Sequence, residues 1–311
     1  MTIQSHFFTA FSSAAAHQGA EISGLTAPGP AALAPVAWSG AELAVILPLA
    51  LSSALYLIGL ARLWRRAGFG RGMRIIDVAA FAAGWLTLAM ALVSPLHGLG
   101  ETLFTAHMIQ HMLLIGIAAP LLVLGRPGGA LSWSLPKAWR RGLGMIVRAR
   151  PLTAGWSVAR NPLVATMVHG VTIWAWHVPV LFEAALDNQW LHWLEHATLL
   201  ATAVLFWWAL IARPDRAQGY GPSLACLFVT LLHTSLLGTL LTLSPQLWYA
   251  PTAGADQWGL AALEDQQLAG LIMWIPGAAL YTLAALALAA LWITDSGKQY
   301  VSRAGRWAPR P

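Results

Sequence analysis

Residues 75–125, IIDVAAFAAGWLTLAMALVSPLHGLGETLFTAHMIQHMLLIGIAAPLLVLG, run for 51 positions between Arg74 and Arg126 without one Lys or Arg. A helix needs about 20 apolar residues to cross a bilayer. The stretch is therefore two crossings, roughly 75–95 and 101–125, with Ser94-Pro95 closing the first and Gly125-Arg126-Pro127 the second. Both of its ends return to a basic side.

The rest of the chain repeats this pattern. All eighteen Lys and Arg fall in four stretches: Arg62 to Arg74, Arg126 to Arg160, Arg213 with Arg216, and Lys298 to Arg310. Apolar segments at roughly 41–62, 162–182, 191–212, 220–243 and 264–294 fill the intervals, so every second loop is basic. Cytoplasmic loops hold the Lys/Arg excess. The expected fold is all-α, a seven-transmembrane helix bundle with its N-terminus outside and its C-terminus cytoplasmic. Trp38, Trp190, Trp248 and Trp258 fall at outer boundaries, and Trp64, Trp207, Trp208 and Trp292 at inner ones, as aromatic belts do.

Composition excludes the soluble classes. Hydrophobic residues make up 58% and charged residues 10%, with mean hydropathy +0.62, too little charge to cover a soluble surface. The pI near 10.1 follows from orientation and anionic headgroups, so a nucleic-acid partner is not expected. A single cysteine, Cys226, excludes an internal disulfide framework. Residues 1–40 have no Lys or Arg and a Ser/Ala/Gly/Pro-rich composition, which reads as a loosely ordered periplasmic tail. Within the bundle, 41–295, a basic cytoplasmic loop at 126–161 interleaves Trp and Leu with Arg and suits an interfacial helix. An outer loop at 244–263 has the length to fold over the bundle mouth, and 296–311 is a basic cytoplasmic tail.

The histidines carry the functional signal. At ~1.5 Å per residue, His97 and His192 lie at the outer boundary, and His107, His177 and His196 within ~10 Å of it. His111 and His233 lie near ~15 Å, and only His169 belongs to the inner half. His107 with His111, and His192 with His196, are i,i+4 pairs that share a helix face. Imidazoles at that spacing grip a metal, and neighbouring spans complete the shell. A lone intramembrane histidine also serves as a helix–helix hydrogen-bond partner, but ionisable groups in a membrane mark sites. Met108, Met112 and Met273 lie at similar depth; as thioether ligands they would favour Cu(I), and as apolar side chains they fill gaps. Glu264 and Asp265, with Glu101, Glu183, Asp187 and Asp256, make an acidic outer rim that attracts cations, although acids also suit helix starts. Glu195 lies inside a span, where His192-Trp193-Leu194-Glu195-His196 matches the zinc-hydrolase pattern H-x-x-E-H. G-x-S-x-G, Walker A, G-x-G-x-x-G and C-x-x-C motifs are absent.

Residues 94–127, with WAWHVPVLFEAAL at 174–186, LHTSLLGTLLTLSPQLWYAP at 232–251 and WGLAALEDQQLAGLIMWIPG at 258–277, resemble the CtaG-type bacterial cytochrome c oxidase assembly factors. The resemblance covers about two-thirds of the chain. The lone Cys226 separates it from the single-span copper chaperone of the same name, which has paired cysteines. The resemblance implies a multi-pass protein of the bacterial plasma (inner) membrane, required for making an active haem–copper oxidase. It also implies copper supply, with oxidase subunits and a periplasmic copper chaperone as partners alongside the lipid bilayer. In matching motifs stand His97, His107, His111, His177, His233, Glu264 and Asp265; His192 and His196 join them on spacing alone. The expected function is copper handling without catalysis. Haem clamped between His111 and His233 and zinc-dependent hydrolysis are the alternatives.

Overall fold

The computed structural model describes residues 40–212, 220–250 and 254–307, and every regular element among them is helical. The expected tail 1–39 and the third basic stretch, Arg213 and Arg216, lie outside the described residues. In chain order the helices are α1 (Gly40–Ala67), α2 (Ile75–Val93), α3 (Pro95–Thr102) and α4, the span Phe104–Leu124. Three short helices follow, α5 (Gly128–Ser134), α6 (Lys137–Val147) and α7 (Arg150–Ala159). Then come α8 (Pro162–Trp176), α9 (Pro179–Asp187), α10 (Gln189–Ile211), α11 (Gly221–Leu243) and α12 (Ala262–Trp307).

Six of these, α1, α2, α4, α10, α11 and α12, are long and apolar enough to cross a membrane. The crossing expected over 162–182 is not one helix: α8 and α9 meet at 71°. Pro179 has no N–H to continue α8 and drives the residue before it out of the helical region. Val178 accordingly stands at φ −70°, ψ 127°. The count is therefore six continuous spans, or seven if the bent pair crosses as one. The third expected span also starts later, at Phe104, because Glu101 and Thr102 end the separate helix α3.

The helices are inside out relative to a soluble bundle. Leu47, Leu57, Leu86, Val171, Phe228 and Leu283 are all at least 60% exposed, whereas His107, His169, Gln110 and Glu195 are fully buried. Only a hydrocarbon solvent makes that arrangement favourable. One apolar core joins α4, α8, α10, α11 and α12 around Leu199, Phe206, Leu227 and Tyr281. A second joins α1, α2 and α5 around Tyr56, Leu60 and Phe81. The α11–α12 crossing is close because a Cβ on Gly270 would lie 2.7 Å from the Gly238 carbonyl oxygen, the role small residues have between membrane helices.

Midway along α4 the backbone widens to a π-helix over Leu113–Ala118. Pro120 supplies the cause. The Ala119 N–H bonds to the Leu114 carbonyl, five residues back, so the Ile115 carbonyl would need the N–H of Pro120, which has none. Trp207 fills the gap, donating its indole N–H to Ile115 O at 2.8 Å.

The basic loop lies at one end of the bundle. Arg62 donates to the Ser134 carbonyl, and Arg140 stands 4.7 Å over the Trp133 ring. Helix α6 buries no residue, as suits a helix in the interface. At the opposite end, the segment after α11 folds back over the helix ends. Trp248 N–H donates to Gln266 Oε1, Ala250 N–H to Glu183 Oε1, and Gly254 N–H to Thr102 O.

Candidate metal centre

Two helices carry the core of the site, and both are pinned within a turn of it. The N-terminus of α4 has unpaired N–H groups that need acceptors. Asp265 of α12 supplies them: its carboxylate accepts from Phe104 N at 2.8 Å, Thr105 N at 2.9 Å and Thr105 Oγ1 at 2.6 Å. The N-terminus of α10 is capped by Asn188, whose side-chain oxygen accepts from Trp190 and Leu191 N–H. His107 and His111 then face α10, and His192, Glu195 and His196 face α4 along one i, i+3, i+4 stripe.

The side chains meet in one buried layer at the end away from the basic loop. The His107 and His192 rings stack at 5.2 Å, and His196 lies 5.6 Å from His107 and 5.3 Å from His111. Donor atoms of His107, His192, Glu195 and His196 all lie within 4.8 Å of one another. His177, the residue that ends α8, approaches His111 at 6.1 Å. Its Nδ1 lies 2.7 Å from the Ile173 carbonyl. A carbonyl only accepts, so Nδ1 carries the proton and the lone pair stays on Nε2, the tautomer that a metal-ligating histidine holds. Tyr249 braces the same turn, donating to His177 O at 2.9 Å. Burial, followed by the nearby Glu195 carboxylate, raises its phenol above the ordinary range, so it remains a donor.

This layer is chemically unusual. Ten buried polar atoms on His107, His111, His177, His192, Glu195 and His196 have no hydrogen-bond partner in the protein. Glu195 Oε1 lies 3.5 Å from His107 Nε2 and 3.4 Å from His111 Nε2. Those separations exceed the ~2.7–3.2 Å of an N–H···O hydrogen bond. They match the edge of a tetrahedron with ~2.0–2.1 Å metal bonds, about 3.3 Å. The donor set of several imidazoles and one carboxylate fits a borderline cation such as copper or zinc.

Of the residues singled out in the sequence, His107, His111, His177, His192 and His196 come together here. His97 stands beside them on α3, its ring 5.3 Å from that of His192. His233 turns away: its Nδ1 accepts from Trp174 of α8 at 3.3 Å, and its ring lies over Gly170. Among the described residues it makes no ring contact with His111 or with the layer's other members. Met108 packs with Phe104, Phe182 and Tyr249, Met273 sits in the central apolar core, and Met112 lies against Gly277. Glu264 accepts from Ala261 N–H at the start of α12, and Asp265 caps α4. Glu195 is the member that spacing of histidines did not select. Its signal was its position, a carboxylate inside an apolar span between two histidines.

A family model described as cytochrome c oxidase caa3 assembly factor (Caa3_CtaG) matches residues 54–295. Uncharacterized protein Mb0105 of Mycobacterium bovis and uncharacterized protein MT0111 of Mycobacterium tuberculosis are each 26% identical to the chain over 249 residues. That similarity covers 70% of this chain and 34% of each relative, so the chain spans about a third of the length of the curated relatives it matches. No solved structure matches.

Proposed function

The chain belongs to the cytochrome c oxidase caa3 assembly factor family, and on that premise we propose that it holds a copper ion for delivery to the oxidase. The holding residues are His107, His192, Glu195 and His196, with His111 and His177 completing the layer. The supporting observation is the Glu195 carboxylate, fully buried, without a donor, and one ligand-edge distance from two imidazoles. Imidazole and carboxylate bind copper without the soft thiolates that would retain it most strongly, which suits a carrier that must release its cargo. The outward face of the layer is the periplasmic one, where an oxidase subunit and a copper chaperone would exchange the ion. A periplasm-active reporter fused after Asp187 or Asp256 is expected to be active, and one fused after Arg141 or Arg303 inactive. Activity at the 141 fusion would overturn this orientation.

Deletion tests the function. The deletion strain should assemble an oxidase that retains haem but is poor in copper, and excess external copper should restore activity in part. An oxidase with full copper and no haem would sink the copper reading and promote the haem alternative. The face His192-x-x-Glu195-His196, meeting His107, favours one second reading, a zinc site with Glu195 as general base. A hydrolase needs room for substrate beside the metal, whereas a cavity of about 710 Å³ lined by Asp77, Trp85, Arg126 and Trp208 lies toward the basic end, and the space of about 10 Å³ beside Phe104, Phe182 and Tyr249 is far too small for one. Elemental analysis of the purified protein separates copper from zinc, and a visible spectrum without a Soret band separates both from haem.

A further inference from the structure

The holding layer has a difficulty of access. His107, His111, His177, His192, Glu195 and His196 are each at most 5% exposed, so a hydrated ion cannot reach them in one step. Stripping all its water before any ligand is gained would cost far more than the site returns. An ion must instead change ligands one at a time, starting at a group that water reaches.

Among the described residues, one group of that kind touches the layer. Helix α3 places His97 and Glu101 four residues apart on one face, with His97 Nε2 3.7 Å from Glu101 Oε1. The Glu101 side chain is 50% exposed and that of His97 10%. Donor atoms of His97, Glu101 and His192 lie within 4.8 Å of one another. His192 also belongs to the four-residue group with His107, Glu195 and His196, so the two sets share a ligand.

Short elements position this second set. Ser94 caps α3 by accepting from Leu96 N–H at 3.1 Å. Gln110 of α4 donates to Ala91 O at 2.8 Å and reaches His97 Nδ1 at 3.4 Å. The His97 ring stacks on Trp193 at 4.7 Å. The imidazole is thus fixed between α4 and α10, while Glu101 stays in water.

We propose that His97, Glu101 and His192 form a separate loading site for copper, from which His192 passes the ion inward to the buried layer. The inference rests on the copper reading above and adds its route of uptake. Glu101 captures the hydrated ion, and His97 and His192 replace part of its water. Bonds to Glu101 and His97 then break as bonds to His107, His196 and Glu195 form, with no change of oxidation state. The outer set has one half-exposed carboxylate and two imidazoles. The inner set has more imidazoles and a carboxylate shielded from water, so the exchange runs inward.

The experiment mixes a weak Cu(II)–glycine complex with the full-length purified protein and follows uptake by stopped flow and by final copper content. Glu101→Gln, an exposed change that leaves the fold intact, and His97→Gln are expected to slow loading at least tenfold with the same final copper per chain. His192→Ala should lose both rate and capacity, and Glu101→Asp should recover part of the rate. Loading of Glu101→Gln and His97→Gln at the wild-type rate would overturn the loading site and leave the buried layer standing. A drop in final copper in His97→Gln would place His97 in the holding shell and equally overturn it. Wild-type protein that takes up no Cu(II) would instead defeat the copper reading itself.

Discussion

Replacing His107 and His111 together by alanine is expected to abolish copper retention by the purified protein. The two imidazoles project from one face of α4 toward Glu195, at 3.5 and 3.4 Å. Loss of an outer-shell partner alone typically weakens a metal site 10- to 100-fold; loss of two direct ligands should exceed about 100-fold. His192 and His196 would remain on α10 with Glu195, but that helix supplies one side of the shell only. The fold should survive, because α4 is fixed by Asp265 at its first turn and by Trp207 at its π segment. Neither anchor involves the two histidines. The measurement is copper per chain after equilibration with a competing chelator, with helical content checked by circular dichroism. Undiminished copper in the double variant would move the site elsewhere or remove it.

Much of the bundle is legible in the sequence because its determinants are local. An apolar run of spanning length and the next basic stretch lie within the same few tens of residues, so α2, α10 and α11 fall close to their expected bounds. What fails is what depends on a distant partner or on direction. The α8–α9 bend was signalled by Pro179, but the length of the apolar run outweighed it. The π segment of α4 needs both Pro120 and Trp207, which is 92 residues from the carbonyl it satisfies. Asp265 read as part of an acidic rim, yet it caps a helix that starts 161 residues earlier, and nothing near it in sequence points there.

The same division holds within the site. Depth along a span follows from residue count, and it placed His107, His177 and His196 in one layer. Rotation about the helix axis does not follow from depth. His233 therefore joined the candidate set although its side chain faces Trp174 and Gly170 on α8. The methionines are similar: Met108 and Met273 lie in apolar clusters, and Met112 lies against Gly277. Glu195 is the converse case. Among the described residues, no span other than α10 carries a buried carboxylate between two histidines, and that oddity was a stronger signal than the formal H-x-x-E-H match it belongs to.

Glu195→Gln is accordingly expected to shift stability in opposite directions with and without copper. Without metal, the carboxylate has no donor for either oxygen. Buried polar atoms without a partner cost free energy in apolar surroundings. Glutamine keeps the volume and adds an N–H donor facing the unpartnered His107 and His111 Nε2 atoms, so the metal-free variant should melt at or above the wild-type temperature. With copper the sign reverses. A ligand at 100 times its Kd stabilises a fold by about 2.7 kcal/mol, and the wild-type midpoint should rise by the corresponding amount. The variant loses the anionic ligand that faces both His107 and His111, and most of that rise should disappear. A residue kept for stability gives the other pattern, in which the metal-free fold weakens on substitution and the response to copper is retained. Thermal midpoints of both proteins, each with and without Cu(II), decide between the two. A lowered metal-free midpoint together with an intact copper shift would make Glu195 a structural group and take it out of the site.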